Sequence, residues 1–289
     1  MEVLQPTSWG DALAARRDNP EAVPLAGGTD LLVELNFDRR RPETIIDLTR
    51  VPELSEWSRD DREVRLGAGV TYTRVIAELA SELPGLAIAS RTVGSPQIRN
   101  RGTIGGNLGT SSPAGDALPP LLASGARVEL AATGGTRVVP IEEFCTSPKH
   151  NVLAPDELIA SVHVSAATGP QQFSKIGTRN AMVIAVASFA LSLDPSARSM
   201  GTGIGSAGPV PLRAAEAERF LEGVLDEEGL WTSRDSLSGA VVTRFGQLAS
   251  EASRPIDDVR GSANYRRHAL AVMAARTLMW AWDEYRGEA

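Results

Sequence analysis

The sequence predicts an α+β protein built in two parts, with the break near residue 165. Three observations carry this reading. Strand-like and helix-like segments alternate through the first part. The stretch Ser165–Pro170, SAATGP, then has the composition of a linker. From Leu212 onward the apolar residues recur mainly at helical spacing.

Taken in order, SWGDALAARRDN has the spacing of an amphipathic helix with Ser8 as its cap. AVPLA reads as a short strand that stops at Gly27-Gly28, and TDLLVELN restarts as a helical turn. TIIDL (Thr44–Leu48) and EVRLGAG (Glu63–Gly69) read as strands. TYTRVIAELASEL reads as a helix closed by Pro84-Gly85. PPLLASGA gives a helix opened by proline, and RVELAATGGTRVVP a β-hairpin turning at Gly134-Gly135. DELIASVHV is an alternating strand; QQFSKIG and MVIAVASFALSL come next as strands, the latter apolar enough for burial on both faces. LRAAEAERFLEG, SRDSLSGAVVTRFGQLASEA and YRRHALAVMAARTLMWAWDEY are helical.

Composition narrows the function. A 42% hydrophobic and 22% charged make-up is that of an ordinary globular chain, and 289 residues suffice for two or three lobes. A net charge of −7 argues against a nucleic-acid or anionic-membrane surface, and no apolar run is long enough to span a bilayer. The N-terminal MEVLQPTSWG has neither a basic nor an apolar signal region, which predicts a cytoplasmic protein. Cys145 is the only cysteine, so the chain by itself ligates no iron–sulfur cluster and no cysteine zinc site. Lys149 and Lys175 are the only lysines, and neither follows a glycine, which excludes a phosphate-binding P-loop. Asp60-Asp61 and Asp257-Asp258 read as solvated loop charges, and Cys145 as inert.

Two glycine bends stand out. AGGTD (Ala26, Gly27, Gly28, Thr29, Asp30) follows an apolar strand, and TIGGN (Thr103, Ile104, Gly105, Gly106, Asn107) lies between apparent loops. Consecutive glycines let backbone N–H groups converge into an anion-binding concavity, and Thr103, Thr110, Ser111 and Ser112 add hydroxyls. That arrangement holds a diphosphate without a lysine. Asp116 offers an acceptor for a ribose or ribityl hydroxyl. By contrast GIGSAG (Gly203–Gly208) matches a dinucleotide fingerprint literally, but Pro209 and Pro211 stand where the helix should open, so it reads as a structural turn.

Together the bends, embedded in GSPQIRNRGTIGGNL and SSPAGDALPPLLA, resemble the FAD-binding medium subunit of the molybdenum hydroxylases, the family of xanthine dehydrogenase and aerobic carbon monoxide dehydrogenase. The resemblance continues collinearly through FSKIGTRNA, GPVPLRAAEAERFLEG and RPIDDVRGSANYRRHAL. It implies a two-lobed FAD-binding domain of the vanillyl-alcohol-oxidase type over 1–165, with lobes of about 1–53 and 54–165, and a smaller C-terminal domain over 170–289. It implies FAD with its diphosphate on the two bends, Asp116 on the cofactor, and Lys175 beside the flavin as a compact positive charge. It also implies Val93 packed on the isoalloxazine and Ile159 near a backbone contact to the ring edge; both read more simply as core residues. No catalytic side chain is required, because the flavin carries the redox chemistry.

The implied partners are a molybdopterin-binding large subunit and a small subunit with two iron–sulfur clusters. One departure bears on the electron acceptor. Family members carry an aspartate shortly after the arginine of the FSKIGTRNA segment, whereas here Met182 and Val183 are apolar. The acceptor therefore stays open between NAD+, oxygen and a quinone-like carrier. Two other readings of the chain remain: a stand-alone flavoprotein acting on a small molecule, and a non-catalytic binding or assembly module.

Overall fold

The computed structural model describes residues 1–287; the last two residues of the expected C-terminal part lie outside them. Strands Glu2–Leu4 (β1), Val23–Leu25 (β2) and Thr44–Asp47 (β3) form a parallel sheet in the order β1-β3-β2. Parallel neighbours need crossover connections, and helices Trp9–Asp18 (α1) and Leu31–Asn36 (α2) supply them. The Ser8 hydroxyl caps α1 by accepting from the Asp11 amide. The first glycine bend is thus the link between β2 and α2.

A second, antiparallel sheet runs Trp57–Asp60 (β4), Glu63–Gly67 (β5), Arg127–Ala132 (β6) and Gly135–Pro140 (β7), with Leu158–Ser165 inserted between β5 and β6. A helical turn, Ile141–Phe144, and a small hairpin, Cys145–Ser147 (β8) with His150–Asn151 (β9), precede that central strand, β10. Five short helices connect β5 to β6: Tyr72–Glu78 (α3), Pro84–Thr92 (α4), Pro96–Arg101 (α5), Ile104–Thr110 (α6) and Leu118–Ala123 (α7). Here the structure corrects the sequence reading. The helix expected through Leu83 stops at Glu78, and Pro84-Gly85 opens α4 rather than closing α3, since a first helical turn has no use for the missing N–H. The TIGGN segment, read as a bend between apparent loops, forms the start of α6 with Thr103 as its cap.

Ala12 of α1 and Val51 share one buried cluster with Val64, Leu66, Leu108, Val128 and Val162, so both lobes close on a common core. The remaining sheet is antiparallel, with Gln171–Ile176 (β11), Ala187–Asp194 (β12) and Ser199–Gly205 (β13) in sequence order. The strand expected over MVIAVASFALSL begins only at Ala187. Residues 177–186 connect β11 to β12 instead, with Met182 at φ 50° and both Met182 and Ile184 exposed. Hydrophobicity alone does not separate an apolar connection from an apolar strand.

GIGSAG is likewise corrected: Gly203, Ile204 and Gly205 belong to β13, and only Ser206, Ala207 and Gly208 lie in the bend beyond it. Gly201 and Gly203 alternate along β13, and a Cβ at either would overlap the backbone of Ala123 or Pro119 in α7. These glycines let a helix lie directly on a strand. Helices Ala215–Glu227, Leu230–Ser233, Gly239–Glu251 and Ala263–Arg286 complete the second part around Phe189, Leu221, Phe245, Leu278 and Trp282. Asp258, expected as a solvated charge, instead pairs with the nearly inaccessible Arg266 at 2.6 Å. Among the described residues no helix is long and apolar enough to cross a membrane.

Gly203→Ala is expected to lower stability by about 1–3 kcal/mol, because α7 must be pushed off the strand. Gly223→Ala, in the helix Ala215–Glu227 with open space at its Cβ, is expected to raise stability by about 1 kcal/mol. Urea unfolding of the two variants checks both signs.

Candidate functional site

The two glycine bends touch. A Cβ on Gly27 would overlap the carbonyl of Arg101 and crowd the amide of Gly102, so the first bend lies flat on the backbone that leads into the second. Across the contact, the nearest neighbours of a Cβ on Gly106 are Thr103 Oγ1 and Ala26 Cβ. Gly28 takes φ +76°, a left-handed turn that a side chain would strain.

The bends differ in what they offer a ligand, and here the structure revises the expectation of two equivalent amide clusters. Among the described residues, the amides of Gly27, Gly28, Thr29 and Asp30 donate to no protein acceptor. Four of the second bend's five are committed: Ile104 N–H donates to Val70 O at 3.0 Å and Gly105 N–H to Ala68 O at 2.8 Å. Gly106 N–H donates to Thr103 Oγ1 at 2.9 Å, and Asn107 N–H to Thr103 O at 3.0 Å. Free amides therefore belong mainly to the first bend, the second keeping only that of Thr103 without an acceptor among the described residues. The second supplies side chains and a surface without Cβ atoms.

Two cavities meet at this contact. One, of about 380 Å³, runs from Ala26, Gly27 and Asp30 past Gly105 and Gly106 to Leu153, Leu158 and Ile159. Its rim carries Arg16, Glu34, Arg40, Arg101 and Lys149. The other, of about 370 Å³, runs from the same bends past Asn107 and Val93 to Asp116 and the connection Met182–Ile184. Val93 lines the second of these cavities and Ile159 the first. Ala26, Gly27, Asp30, Thr103 and Gly106 border both cavities, while Gly28 and Thr29 face the second.

Lys175 projects from β11 into the first part and donates to Asp116 Oδ2 at 2.5 Å and to Thr92 O at 3.2 Å. Both side chains of this pair are more than nine-tenths buried. Burial pushes the Asp116 carboxyl above the usual carboxylate range, and the Lys175 ammonium and the Thr92 hydroxyl pull it back. Asp116 Oδ1 and Asn107 Oδ1, both buried, have no protein partner. Unpaired buried acceptors are costly, and two at one cavity wall fit a ligand that brings hydroxyl or N–H donors. Asn107 reaches this position because Gly115 has no side chain; a Cβ there would crowd the Asn107 amide. Sequence reading missed Gly115, which carried no signal beyond being one more glycine in a rich stretch.

Residues 1–166 match the family described as FAD binding domain in molybdopterin dehydrogenase. The chain belongs to that family. Residues 172–281 match the C-terminal domain of carbon monoxide dehydrogenase flavoprotein. The chain is 31% identical to a xanthine dehydrogenase FAD-binding subunit of Escherichia coli O157:H7, over 84% of this chain and 87% of that one. It is 29% identical to the carbon monoxide dehydrogenase medium chain of Afipia carboxidovorans, over 95% of this chain and 94% of that one. Its fold superposes with a TM-score of 0.89 on a chain of Hydrogenophaga pseudoflava carbon monoxide dehydrogenase, at 28% identity over 99% of this chain and 98% of the other. This member of the FAD-binding family is thus an oxidoreductase subunit of the molybdenum hydroxylase type, with the fold its bends led us to expect. Open amides at one bend, a Cβ-free surface at the other and orphaned acceptors at one end are chemistry that fits FAD.

The buried pair gives a test of the site's energetics. Asp116→Asn or Lys175→Met alone is expected to cost the apo chain about 3–5 kcal/mol, since each strands a desolvated partner. The double variant is expected to cost less than the sum, which urea unfolding of all four proteins measures.

Proposed function

We propose that this chain is the flavin-bearing electron-transfer subunit of a molybdopterin-dependent dehydrogenase. In this reading it takes electrons from iron–sulfur clusters in a small subunit, which are filled by substrate oxidation at a molybdopterin centre in a large subunit. The observation that carries it is the contact of the two glycine bends between two cavities. A molecule with a ring system at each end and a narrow anionic waist has the shape of that space, and FAD is such a molecule.

The free amides of Gly27, Gly28, Thr29 and Asp30 would donate to the diphosphate at the waist, with the Thr103 hydroxyl beside them. Gly105 and Gly106 would form the floor, where absent side chains allow close approach, with Ala26 beside them and the buried Ile104 side chain beneath. Asn107 Oδ1 and Asp116 Oδ1 would accept from the ribityl hydroxyls or the ring N–H. Lys175 would hold Asp116 and place a positive charge near the ring, favouring an anionic reduced form. Val93 would pack at that isoalloxazine end, and Ile159 at the adenosine end rather than on the flavin. FAD, once bound, supplies one- and two-electron redox chemistry that no side chain of this protein performs.

Relatives support the partner reading, since they are named medium chains or medium subunits of dehydrogenases and hydroxylases. The single, buried Cys145 leaves the chain without cysteine ligands for the clusters, so these must come from another polypeptide. We place the complex in the cytoplasm.

The purified chain is expected to show flavin absorbance bands and to release FAD on denaturation. Gly27→Ala, which forces the bends apart, is expected to lose FAD at least 100-fold in affinity while keeping its far-UV spectrum. A colourless chain that stays colourless with added FAD would sink the reading. Purification from its native host is expected to bring down molybdenum and iron with the chain.

A further inference from the structure

Both lysines of this chain lie at the cofactor groove, each paired with a carboxylate, and the proposed function uses only Lys175. Lys149 lies at the other cavity. Its Nζ is 2.6 Å from Glu34 Oε1, and both residues line the cavity that ends at Ile159. The mounting of the two side chains gives the pair its meaning. Glu34 belongs to α2, the helix launched by the first glycine bend. Lys149 occupies the β8–β9 turn, at φ 63°, and its amide donates to Ser111 O, the residue that caps the C-terminus of α6. Asn151 in the same hairpin donates to Gly109 O at 3.2 Å and Ser111 Oγ at 3.1 Å. The turn is therefore fixed to the helix of the second glycine bend.

The ion pair thus ties the flank of one bend to the flank of the other across the groove between the lobes. On its own side α2 is held lightly, for none of its residues is buried, and Leu32 and Val33 are half exposed. Arg40 approaches Glu34 as well, but at 3.9 Å and from the same lobe, so it cannot bridge the groove. A helix without buried anchors is one whose position a single cross-groove contact can bias.

We propose that Glu34–Lys149 is a latch over the cofactor groove, which must open for FAD to leave and re-form once it is seated. The inference rests on the FAD reading above. Glu34 and Lys149 act on cofactor retention through the position of α2, so they are positioning residues. The pair is largely accessible to solvent on the lysine side, with 58% of that side chain exposed. Its strength is accordingly that of a screened surface pair, and its effect on the release rate is about two- to five-fold.

The test measures FAD dissociation from the holo-protein by dilution into an excess of an apo-oxidase that binds FAD tightly, following the change in flavin fluorescence. Glu34→Gln and Lys149→Gln are each expected to speed release two- to five-fold, and the double variant no further than either single. Lys149→Arg, which keeps the charge, is expected to release at the wild-type rate. Raising salt from about 20 to about 500 mM is expected to speed release from wild type and to affect the Gln variants less. Thermal unfolding of the apo-proteins is expected to be unchanged, which separates a latch from a stability element. Unchanged release in both Gln variants, or strictly additive effects in the double variant, overturns the latch. A wild-type chain that never retains FAD overturns instead the reading beneath it.

Discussion

The contact of Gly27 with the backbone of Arg101 and Gly102 is the constraint on which the rest of this structure depends. It brings the end of the parallel sheet against the helical run between β5 and β6, and so sets the distance between lobes that already share a core. A side chain at Gly27 has no room in this contact. One consequence is chemical: amides on the first bend have no acceptor to turn to within the protein, while those behind Gly105 are engaged in anchoring α6 to Ala68 and Val70. The roles are divided, with most amides of one bend committed to the fold and those of the other left without an acceptor in the described residues.

How much of this was legible in the sequence depended on the range of the interaction that decides each element. The helix capped by Ser8, the hairpin at Gly134-Gly135 and the strand Leu158–Ser165 obey local rules, and each forms where its pattern places it. Pro84 was ambiguous for a local reason, since proline both ends one helix and opens the next. Gly201 and Gly203 were opaque for a tertiary one: their partners are backbone atoms in α7, roughly eighty residues away in sequence. The bends themselves were legible as composition, but the inequality between them was not. Whether an amide is free depends on carbonyls at Ala68 and Val70, which no motif announces.

The Asp116–Lys175 pair shows why a resemblance needs a physical reading beside it. Desolvating two charges is unfavourable unless every hydrogen bond is met, and Asp116 Oδ1 is not met within the protein. Hydrophobic residues of similar volume would be at least as stable there. A buried pair with one acceptor left open is better explained by the cavity it faces than by the fold it belongs to. Its two members also come from different parts of the chain, Asp116 from the segment before α7 and Lys175 from β11. The wall is therefore complete only when both parts are docked.

The same dependence reaches further into the second part. Met182, Val183 and Ile184 close the far end of the cavity, on the connection between β11 and β12. Arg179 donates to Met182 O from within the connection. Its far end is held by Arg266, whose Nη1 donates to Val186 O and Ser206 O at 2.7 Å each while Nη2 reaches Asp258. Arg266 is 3% exposed, on the long helix Ala263–Arg286. Arg266 of the segment NYRRHAL and Asp258 of the acidic pair before it are thus not surface decoration. One arginine from that segment turns a C-terminal helix into the support for a cavity wall, and its carboxylate partner accepts from Nη2 where water does not reach, while the buried Nε has no protein partner.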